Sequence, residues 1–511
     1  MSLSRYAETH YKFRLPWSPL HRARPEMIVD APWSALPGHP VPLVLAVHDA
    51  HRFPVRLREV RVAVRAGGEL HQDRREFDMS LDRPFHWIDL PFPGPEIHGQ
   101  NLVDVVFTVE DAKGRRQTFL NHSLPYLPPV SLDILRMTTT SPFPEGWTSG
   151  DLHCHTTWSE DPVEWGGDPI VMNRAAACMG MGFWASTDHS YDFAWNHPDW
   201  MRPTDPVAKF ARYRQAIETA SIDGPIILPS EEVSCGNRDG RNVHLIVVDH
   251  AEYIPGQGDG GRRWLDNKPD LSLQQVLERI RASGAPAIAA HPRPGIGLLQ
   301  KLLFRRGDYD HADLHEGISG LQFWNGGRGD DFRQGRALWV QDLLRGSRRR
   351  PVAGNDAHGD LNRATQVGTP LFTLRQTRSH RFGHARTWLH LDEPPSRSAL
   401  RHALATDAPT TISNGPWLGL RVPGAAHPVR RSSRSTLELH AKTVAEFGPV
   451  TRLKVFAQKR GETRETILFD HNLREFEFHQ QLEMPQGIVY ARAELETATG
   501  YAALTDAVEP G

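Results

Sequence analysis

From residue 150 onward, candidate helices alternate with short apolar strands, and this alternation constrains the fold more than any other feature. A helical period of apolar residues covers 170–179, 207–221, 271–283 and 333–344. Short apolar runs that suit strands cover 182–187, 226–229, 243–248, 285–290, 318–324 and 352–354. Strands that alternate with helices favour parallel βα units. About seven strands over 150–360 therefore predict an α/β fold with a barrel of parallel strands.

The segments on either side of this region show the period of two that is typical of β structure. Runs at 41–47, 60–65 and 103–110 predict an N-terminal β-sandwich-like domain over 1–130, followed by a linker over 131–148. Runs at 414–422, 436–441, 451–457 and 488–496 predict a small C-terminal β domain over 413–511. The barrel is accordingly expected over 149–412.

Composition and charge argue against several classes of protein. The chain has 59 Lys and Arg against 61 Asp and Glu, so no basic field attracts nucleic acid. It has no apolar run of about 18 residues that would span a membrane, and its start does not resemble a secretory signal. The three cysteines, Cys154, Cys178 and Cys235, do not suggest a disulfide framework. We therefore expect a cytoplasmic protein, with the oligomeric state left open.

Histidines and carboxylates recur at the ends of the predicted strands. The stretch 151–160 contains His153 and His155, which share one face if this stretch is a strand. Parallel sheets build their sites at strand ends of this kind. The residues near the other strands are Asp188, His189, Glu231, Glu232, His244, His291, Asp356 and His358. Any one of them alone would be read as a surface residue or a helix cap, but their joint recurrence predicts a metal site.

These motifs, in this order, resemble those of the PHP (polymerase and histidinol phosphatase) family of metal-dependent phosphoesterases. The matching segments are Asp151-Leu152-His153-Cys154-His155-Thr156, Thr187-Asp188-His189, Glu232-Val233-Ser234, Ala290-His291-Pro292 and Gly354-Asn355-Asp356-Ala357-His358. The resemblance covers about 150–360. It implies a distorted (β/α)7 barrel, here between two β domains, and a trinuclear metal site.

The resemblance also assigns ligands to three metals. The first metal would take His153, His155, Glu232 and Asp356, and the second would take Glu232 as a bridge together with His244 and His291. The third would take His189, His358 and Glu160. The family commonly has Ser-Asp where this chain has Ser159-Glu160-Asp161, so Asp161 stays an alternative to Glu160. Glu231 is likewise an alternative to Glu232, although the Glu-Val-Ser match favours Glu232.

Six imidazoles and three carboxylates suit Zn²⁺, Mn²⁺ or Fe²⁺, and we expect three divalent ions as cofactors. The implied reaction is attack on phosphorus by a hydroxide that bridges the Glu232-linked metals, with no nucleophile from the protein. Asp188 is expected to support a ligating imidazole. Arg293 and Asn325 are expected to contact the substrate, Arg293 through a bidentate phosphate contact.

The sequence thus predicts a hydrolase, a metal-dependent phosphoric ester hydrolase acting on a small phosphorylated substrate. Two alternatives stay open. One is an amidohydrolase-like enzyme that cleaves a non-phosphate ester or an amide. The other is a non-catalytic metal-binding scaffold for the β domains.

Overall fold

The computed structural model describes residues 24–93, 96–124, 127–139, 143–159, 165–195, 202–258, 267–295, 301, 305–363, 366–368, 373–375, 380–422 and 436–509. The protein is mostly β, with 45% strand and 17% helix. None of the helices in these ranges combines the length and the apolar character that a membrane crossing requires.

The N-terminal domain consists of two β-sheets that share one hydrophobic core. Its strands are β1 (Glu26–Asp30), β2 (Ser34–Ala35), β3 (Leu43–His48), β4 (Val55–Ala66), β5 (Glu69–Leu81), β6 (Phe85–Leu90), β7 (Gly99–Asp111), β8 (Arg116–Leu120) and β9 (Leu132–Arg136). One sheet has the order β1-β3-β6, and the other has β2-β9-β7-β4-β5 with β8 on β7. Alternate residues of β4 and β7, such as Val62 and Val105, point into the core with Leu45 of β3.

The central region contains the helices and the predicted site. Its elements are β10 (Trp147–His155), α1 (Pro169–Cys178), β11 (Phe183–His189), α2 (Pro206–Ala220), β12 (Ile226–Gly236), β13 (Asn242–Val247), α3 (Leu273–Ile280), β14 (Ala287–Ala290), β15 (Ile318–Asn325), α4 (Asp330–Leu344), β16 (Arg350–Gly354) and β17 (Ala357–His358). Helices α1 and α2 begin with the same signal, an aspartate (Asp168 or Asp205) that caps backbone N–H groups and is followed by proline. Ser272 and Gln275 form a capping box at the start of α3.

The last part of the chain returns to β structure. Its elements are β18 (Gln366–Gly368), β19 (Thr373–Arg375), β20 (Arg386–His390), α5 (Arg397–Ala405), β21 (Thr410–Ser413), β22 (Trp417–Arg421), β23 (Thr436–Lys442), β24 (Val450–Lys459), β25 (Thr466–Glu475), β26 (Glu477–Glu483), β27 (Ile488–Thr497) and β28 (Ala502–Thr505). Strands β22, β23 and β26 form a small sheet that shares a hydrophobic core with β24 and β27.

The predicted α/β fold, a PHP-type (β/α)7 barrel standing between two β domains, is wrong. Strands β10 to β16 belong to one 14-stranded mixed sheet, which continues from β10 through β20, β21, β28, β27 and β24 to β25. Strands β12, β13 and β14 are antiparallel neighbours, and β12 turns into β13 through the tight Asn237–Arg241 connection. An apolar strand looks the same in sequence whether its neighbour is parallel or antiparallel, so the alternation alone could not reveal this pairing.

The pairing of β10 explains where the predicted ligands meet. On one side β10 runs parallel to β11, and β11 runs parallel to β12. On its other side, the end of β10 pairs with the short strand β17, with His155 opposite His358. The carboxyl ends of β10, β11, β12 and β17 therefore lie close together, as those of parallel neighbours do.

A buried arginine joins the C-terminal strands to helix α4. Arg492 of β27 is fully buried, pairs with Glu465 at 2.6 Å and with Glu494, and lies over the rings of Phe456 and Trp339. An Arg492→Met substitution would leave Glu465 without its buried cation, while Glu494 would keep its contact with Arg336. We expect it to lower the free energy of unfolding by about 3 kcal/mol, measured by urea denaturation.

A matched control is Arg452→Met, because Arg452 makes its ion pair with Asp470 on an exposed strand face. That substitution should cost less than about 1 kcal/mol. Equal losses in the two variants would contradict the role assigned to Arg492.

Candidate metal centre

The structure brings eight of the nine predicted ligands together in one buried place. They form three groups, and within each group the candidate ligand atoms all lie within 4.8 Å of one another. The first group is His153, His155, Glu232 and Asp356; the second is Glu232, His244 and His291; the third is His155, His189 and His358. The ninth predicted ligand, Glu160, and its alternative Asp161 lie outside the described residues. That these residues bind metals stays a prediction.

Glu232, at the centre of the site, faces two groups of imidazoles with its two oxygens. Its Oε2 lies 3.3 Å from His153 Nε2, 3.4 Å from His155 Nε2 and 3.0 Å from His189 Nδ1. Its Oε1 lies 2.5 Å from His244 Nδ1 and 3.1 Å from His291 Nε2. A carboxylate in this position can bridge two neighbouring cations.

Asp356 completes the first group from the opposite side. Its Oδ1 lies 3.4 Å from His153 Nε2 and 3.1 Å from His155 Nε2. Asp356 and His291 are also two of the few described non-glycine residues with positive φ, at 53° and 27°. Such backbone conformations are strained and concentrate at functional sites. Asp356 and His291 therefore have backbone conformations that are uncommon for residues other than glycine.

The carboxylates and the imidazoles change each other's proton affinity strongly. Burial opposes ionisation of Glu232, but His244 and His153 outweigh it and hold the pKa of Glu232 well below its usual range. Burial also opposes a charged His155, yet Asp356 and Glu232 raise its pKa to about 10. Burial and then the charge of His155 lower the pKa of His358 to about 3. The buried anionic charge thus attracts positive charge to the position that a metal ion would take.

The residues fit divalent cations by two independent criteria. Imidazole nitrogens and carboxylate oxygens are the donors that Zn²⁺, Mn²⁺ and Fe²⁺ share. In addition, His153 Nε2 and Glu232 Oε2 are buried without a hydrogen-bond partner, although they lie 3.3 Å apart. Buried polar atoms normally have partners, and a cation placed between these atoms would supply one.

Two hydrogen-bonding groups outside the predicted ligand set fix the orientation of His153 and His155. Gln322 Oε1 lies 2.9 Å from His153 Nδ1, which directs Nε2 of that ring toward Glu232. Ser159 Oγ lies 3.1 Å from His155 Nδ1 and donates to Asp188 at 2.9 Å. Asp188 therefore supports a histidine of the cluster through a hydroxyl group. That Asp188 supports a metal-binding imidazole stays a prediction; the imidazole that it contacts through Ser159 is that of His155.

A second carboxylate near the cluster, Asp151, has an architectural role. It is fully buried and accepts hydrogen bonds from Asn355 Nδ2 at 2.7 Å, Asn355 N at 3.1 Å, His153 N at 3.1 Å and Gly383 N at 2.9 Å. Burial raises its pKa to about 6. Asp151 thus ties strand β10 to the turn that carries Asp356.

The remaining predicted residues lie at different distances from the site. Asn325 is buried, and its Nδ2 lies 3.4 Å from Asp356 Oδ2. Arg293 is half-buried two residues after His291. Glu231 contacts His250 at 2.9 Å and is in none of the three groups, so the geometry favours Glu232. Cys154 donates to Ala185 O in the hydrophobic core behind the site, and burial raises its pKa well above the usual range.

Sequence reasoning missed three groups at this site, Gln322, Ser159 and Arg306. Arg306 is buried, and its Nη1 lies 3.5 Å from His244 Nδ1. Gln322 could have been noticed because it is a polar residue within the apolar strand β15. Arg306 had no such signal, since it is one of two adjacent arginines and its approach to His244 depends on the bridge between Asn242 and Arg306.

The orientation of His153 by Gln322 can be tested by substitution. A Gln322→Leu variant keeps the approximate volume and removes the acceptor, so we expect metal affinity to fall about 10–100-fold. Metal content after dialysis against graded free Zn²⁺ measures the effect. The control is Gln274→Leu on the exposed face of α3. Unchanged affinity in Gln322→Leu would show that other contacts suffice to orient His153.

Comparison with known proteins does not identify a family. No family model and no curated protein matches the chain. Among solved structures, an FMN-binding β-glucuronidase from Facaelibacterium prausnitzii L2-6 aligns with 94% of this chain and 73% of its own at 9% identity, with a TM-score of 0.18. A cycloisomaltooligosaccharide glucanotransferase from Paenibacillus sp. aligns with 95% and 72% at 10% identity, again with a TM-score of 0.18. A TM-score this low does not identify a common fold, and these similarities support no statement about function.

Proposed function

We propose that this protein is a metal-dependent hydrolase that cleaves a phosphate ester at the centre formed by Glu232 and its neighbours. The observation that carries the proposal is the position of Glu232 between two groups of imidazoles, one facing each carboxylate oxygen. Metals held side by side in this way activate water and stabilise the charge on attacking and leaving oxygens. Phosphoryl transfer benefits from this arrangement because its charge is spread over several oxygens.

The residues of the chain would hold and orient these ions. His153, His155 and Asp356 face one oxygen of Glu232, while His244 and His291 face the other. Gln322 and Ser159 keep the Nε2 atoms of His153 and His155 directed inward. Because the whole set is buried, the charges act in a medium of low polarity, where they are stronger than in water.

Arg306 is our candidate for contact with an anionic substrate. Its guanidinium lies against His244, at the edge of the second group. A guanidinium binds phosphate oxygens through paired, charge-assisted hydrogen bonds. Arg293 and Asn325 follow β14 and end β15, and they are the further candidates for substrate contact.

Hydrolysis of a substrate panel by the metal-loaded protein tests the proposal. The panel contains phosphomonoesters, phosphodiesters, carboxylic esters and amides, each assayed with Mn²⁺, Fe²⁺ and Zn²⁺. We expect hydrolysis of phosphate esters, and its loss in His153→Ala but not in His402→Ala, which removes an exposed histidine from α5. Activity confined to carboxylic esters or amides would overturn the assignment of phosphate esters as substrates. Absence of activity on every substrate would overturn the proposal that the protein is a hydrolase.

Removal of Arg306 separates substrate binding from metal binding. In Arg306→Ala, we expect kcat/KM for the best phosphate ester to fall about 10–100-fold, the loss of one charge-assisted contact, with unchanged metal content. Arg305→Ala, the neighbouring arginine, is the control. Equal kcat/KM in wild type and Arg306→Ala would exclude Arg306 from substrate recognition.

A further inference from the structure

A carboxylate of the N-terminal domain holds the chain that leaves the third group of histidines. Asp30, at the end of β1, is 1% exposed. It accepts hydrogen bonds from three successive backbone N–H groups, those of Leu361 at 2.9 Å, Asn362 at 2.9 Å and Arg363 at 3.0 Å. The first of these residues follows His358 by three positions. One buried side chain from another domain thus fixes the turn after His358.

Arg363 extends this connection back to His358 itself. Its Nε lies 3.0 Å from Asp360 Oδ1 and 3.4 Å from Asp30 Oδ2. Its Nη2 donates to the backbone oxygen of His358 at 3.4 Å. The guanidinium also lies over the ring of Trp165, 4.8 Å from its centroid. Asp30, Arg363 and His358 are therefore linked by direct polar contacts.

Trp165 packs a second segment, residues 165–167, against the N-terminal domain. The ring is 2% exposed and packs against His48 at 5.1 Å, Phe85 at 5.8 Å and Trp87 at 5.8 Å, all from β3 and β6. The next residues, Gly166 and Gly167, approach the turn after His358 so closely that a Cβ at Gly359 would lie 2.6 Å from Gly167 N. The two segments beside His358 are thus packed on each other and on the N-terminal domain.

From these contacts we infer that the N-terminal β domain is part of the metal centre, and that Asp30 is a positioning residue that sets the affinity of the third metal site. The inference rests on the proposed function, because it concerns the group formed by His155, His189 and His358. It assigns to the N-terminal domain a role in metal loading.

The effect should be selective for the third site. Residues that orient ligands contribute about 10–100-fold to metal affinity. Asp356 and His153, in the first group, are held by other contacts: Asp356 N donates to His153 O at 2.7 Å, and Gln322 holds the ring of His153. His358 pairs with His155 of β10, and its Nδ1 lies 3.2 Å from Asp356 O. The turn that directly follows His358 is the one that Asp30 fixes. Loss of the Asp30 contacts should therefore weaken the third ion and leave the first two unaffected.

Binding of Mn²⁺ alone to the full-length protein tests this inference. Metal-stripped protein is equilibrated with graded free Mn²⁺, and bound ions per chain are counted by elemental analysis, with free Mn²⁺ followed by electron paramagnetic resonance. The variants are Asp30→Asn, which turns one acceptor into a donor facing backbone N–H groups, and Arg363→Gln. The control is Asp78→Asn, an exposed aspartate of the same domain that pairs with Arg56.

We expect wild type and Asp78→Asn to bind three Mn²⁺, and both test variants to bind the third about 10–100-fold more weakly with the first two unchanged. A purely structural role would lower all three affinities together, and this result would overturn the inference. Identical third-ion affinity in all proteins, or a wild type that takes only two ions, would also overturn it and leave the proposed function standing. A wild type that binds no Mn²⁺, and no Fe²⁺ or Zn²⁺ when these ions are titrated in the same way, would overturn both.

Discussion

A Glu232→Gln protein is expected to lose metal from two sites at once and to be inactive as a hydrolase. The amide keeps the shape of the side chain, but one of its two oxygens becomes an NH₂ group that cannot bind a cation. Five histidines surround the two carboxylate oxygens within 3.4 Å. The second group has no other carboxylate, and the first keeps only Asp356. We expect metal affinity to fall by more than about 100-fold, beyond the effect of residues that only orient ligands.

The adjacent residue offers a closely matched control. Glu231 is as buried as Glu232, but it pairs with His250 and is in none of the three groups. Glu231→Gln should keep the metal content of the wild type, measured by elemental analysis. If Glu231→Gln were to lose metal and Glu232→Gln to keep it, the ligand would be Glu231 and the register of β12 at the site would have to be revised.

Removal of the metals is expected to destabilise the protein markedly. Each ion bound at 100 times its dissociation constant stabilises the folded state by about 2.7 kcal/mol, provided that it does not bind the unfolded chain. Two or three ions should therefore raise the melting temperature on the order of 5–10 °C. The physical source is the buried pair of Glu232 and Asp356, whose negative charge the ions would neutralise.

Calorimetry before and after chelation, and after readdition of Mn²⁺ or Zn²⁺, measures this effect. Glu232→Gln provides the internal reference, because chelation should change its melting temperature little. A wild type whose metal is removed without any change in melting temperature would show that the cluster is stable as an apo centre, which this prediction excludes.

Much of the candidate centre could be predicted from sequence because its residues lie in short local motifs. The spacing of His153 and His155 places both on one face of a strand, and the structure shows β10 there. Their orientation could not be predicted in the same way. Gln322 is 169 positions from His153, and nothing in the local sequence of β15 reveals which ring it contacts.

The fold was predicted less well than its elements. The helices near 170–179 and 207–221 are present, with clear signals for their first turns at Asp168 and Asp205. The (β/α)7 barrel was wrong because sheet order depends on long-range pairing. The sequence of β10 does not show that residues 147–150 pair with β20, more than 200 positions later.

The continuous sheet has a consequence for how the chain is made. Strand β21 (Thr410–Ser413) pairs with β20 on one side and with β28 (Ala502–Thr505) on the other. During synthesis, β21 emerges from the ribosome long before its second partner. At a translation rate of about 5–20 residues per second, this edge of β21 stays unpaired for on the order of 5–20 s before β28 is synthesised. An unpaired strand edge can pair with the wrong chain. The nascent protein therefore has this strand edge unpaired while the residues between these two strands are being translated.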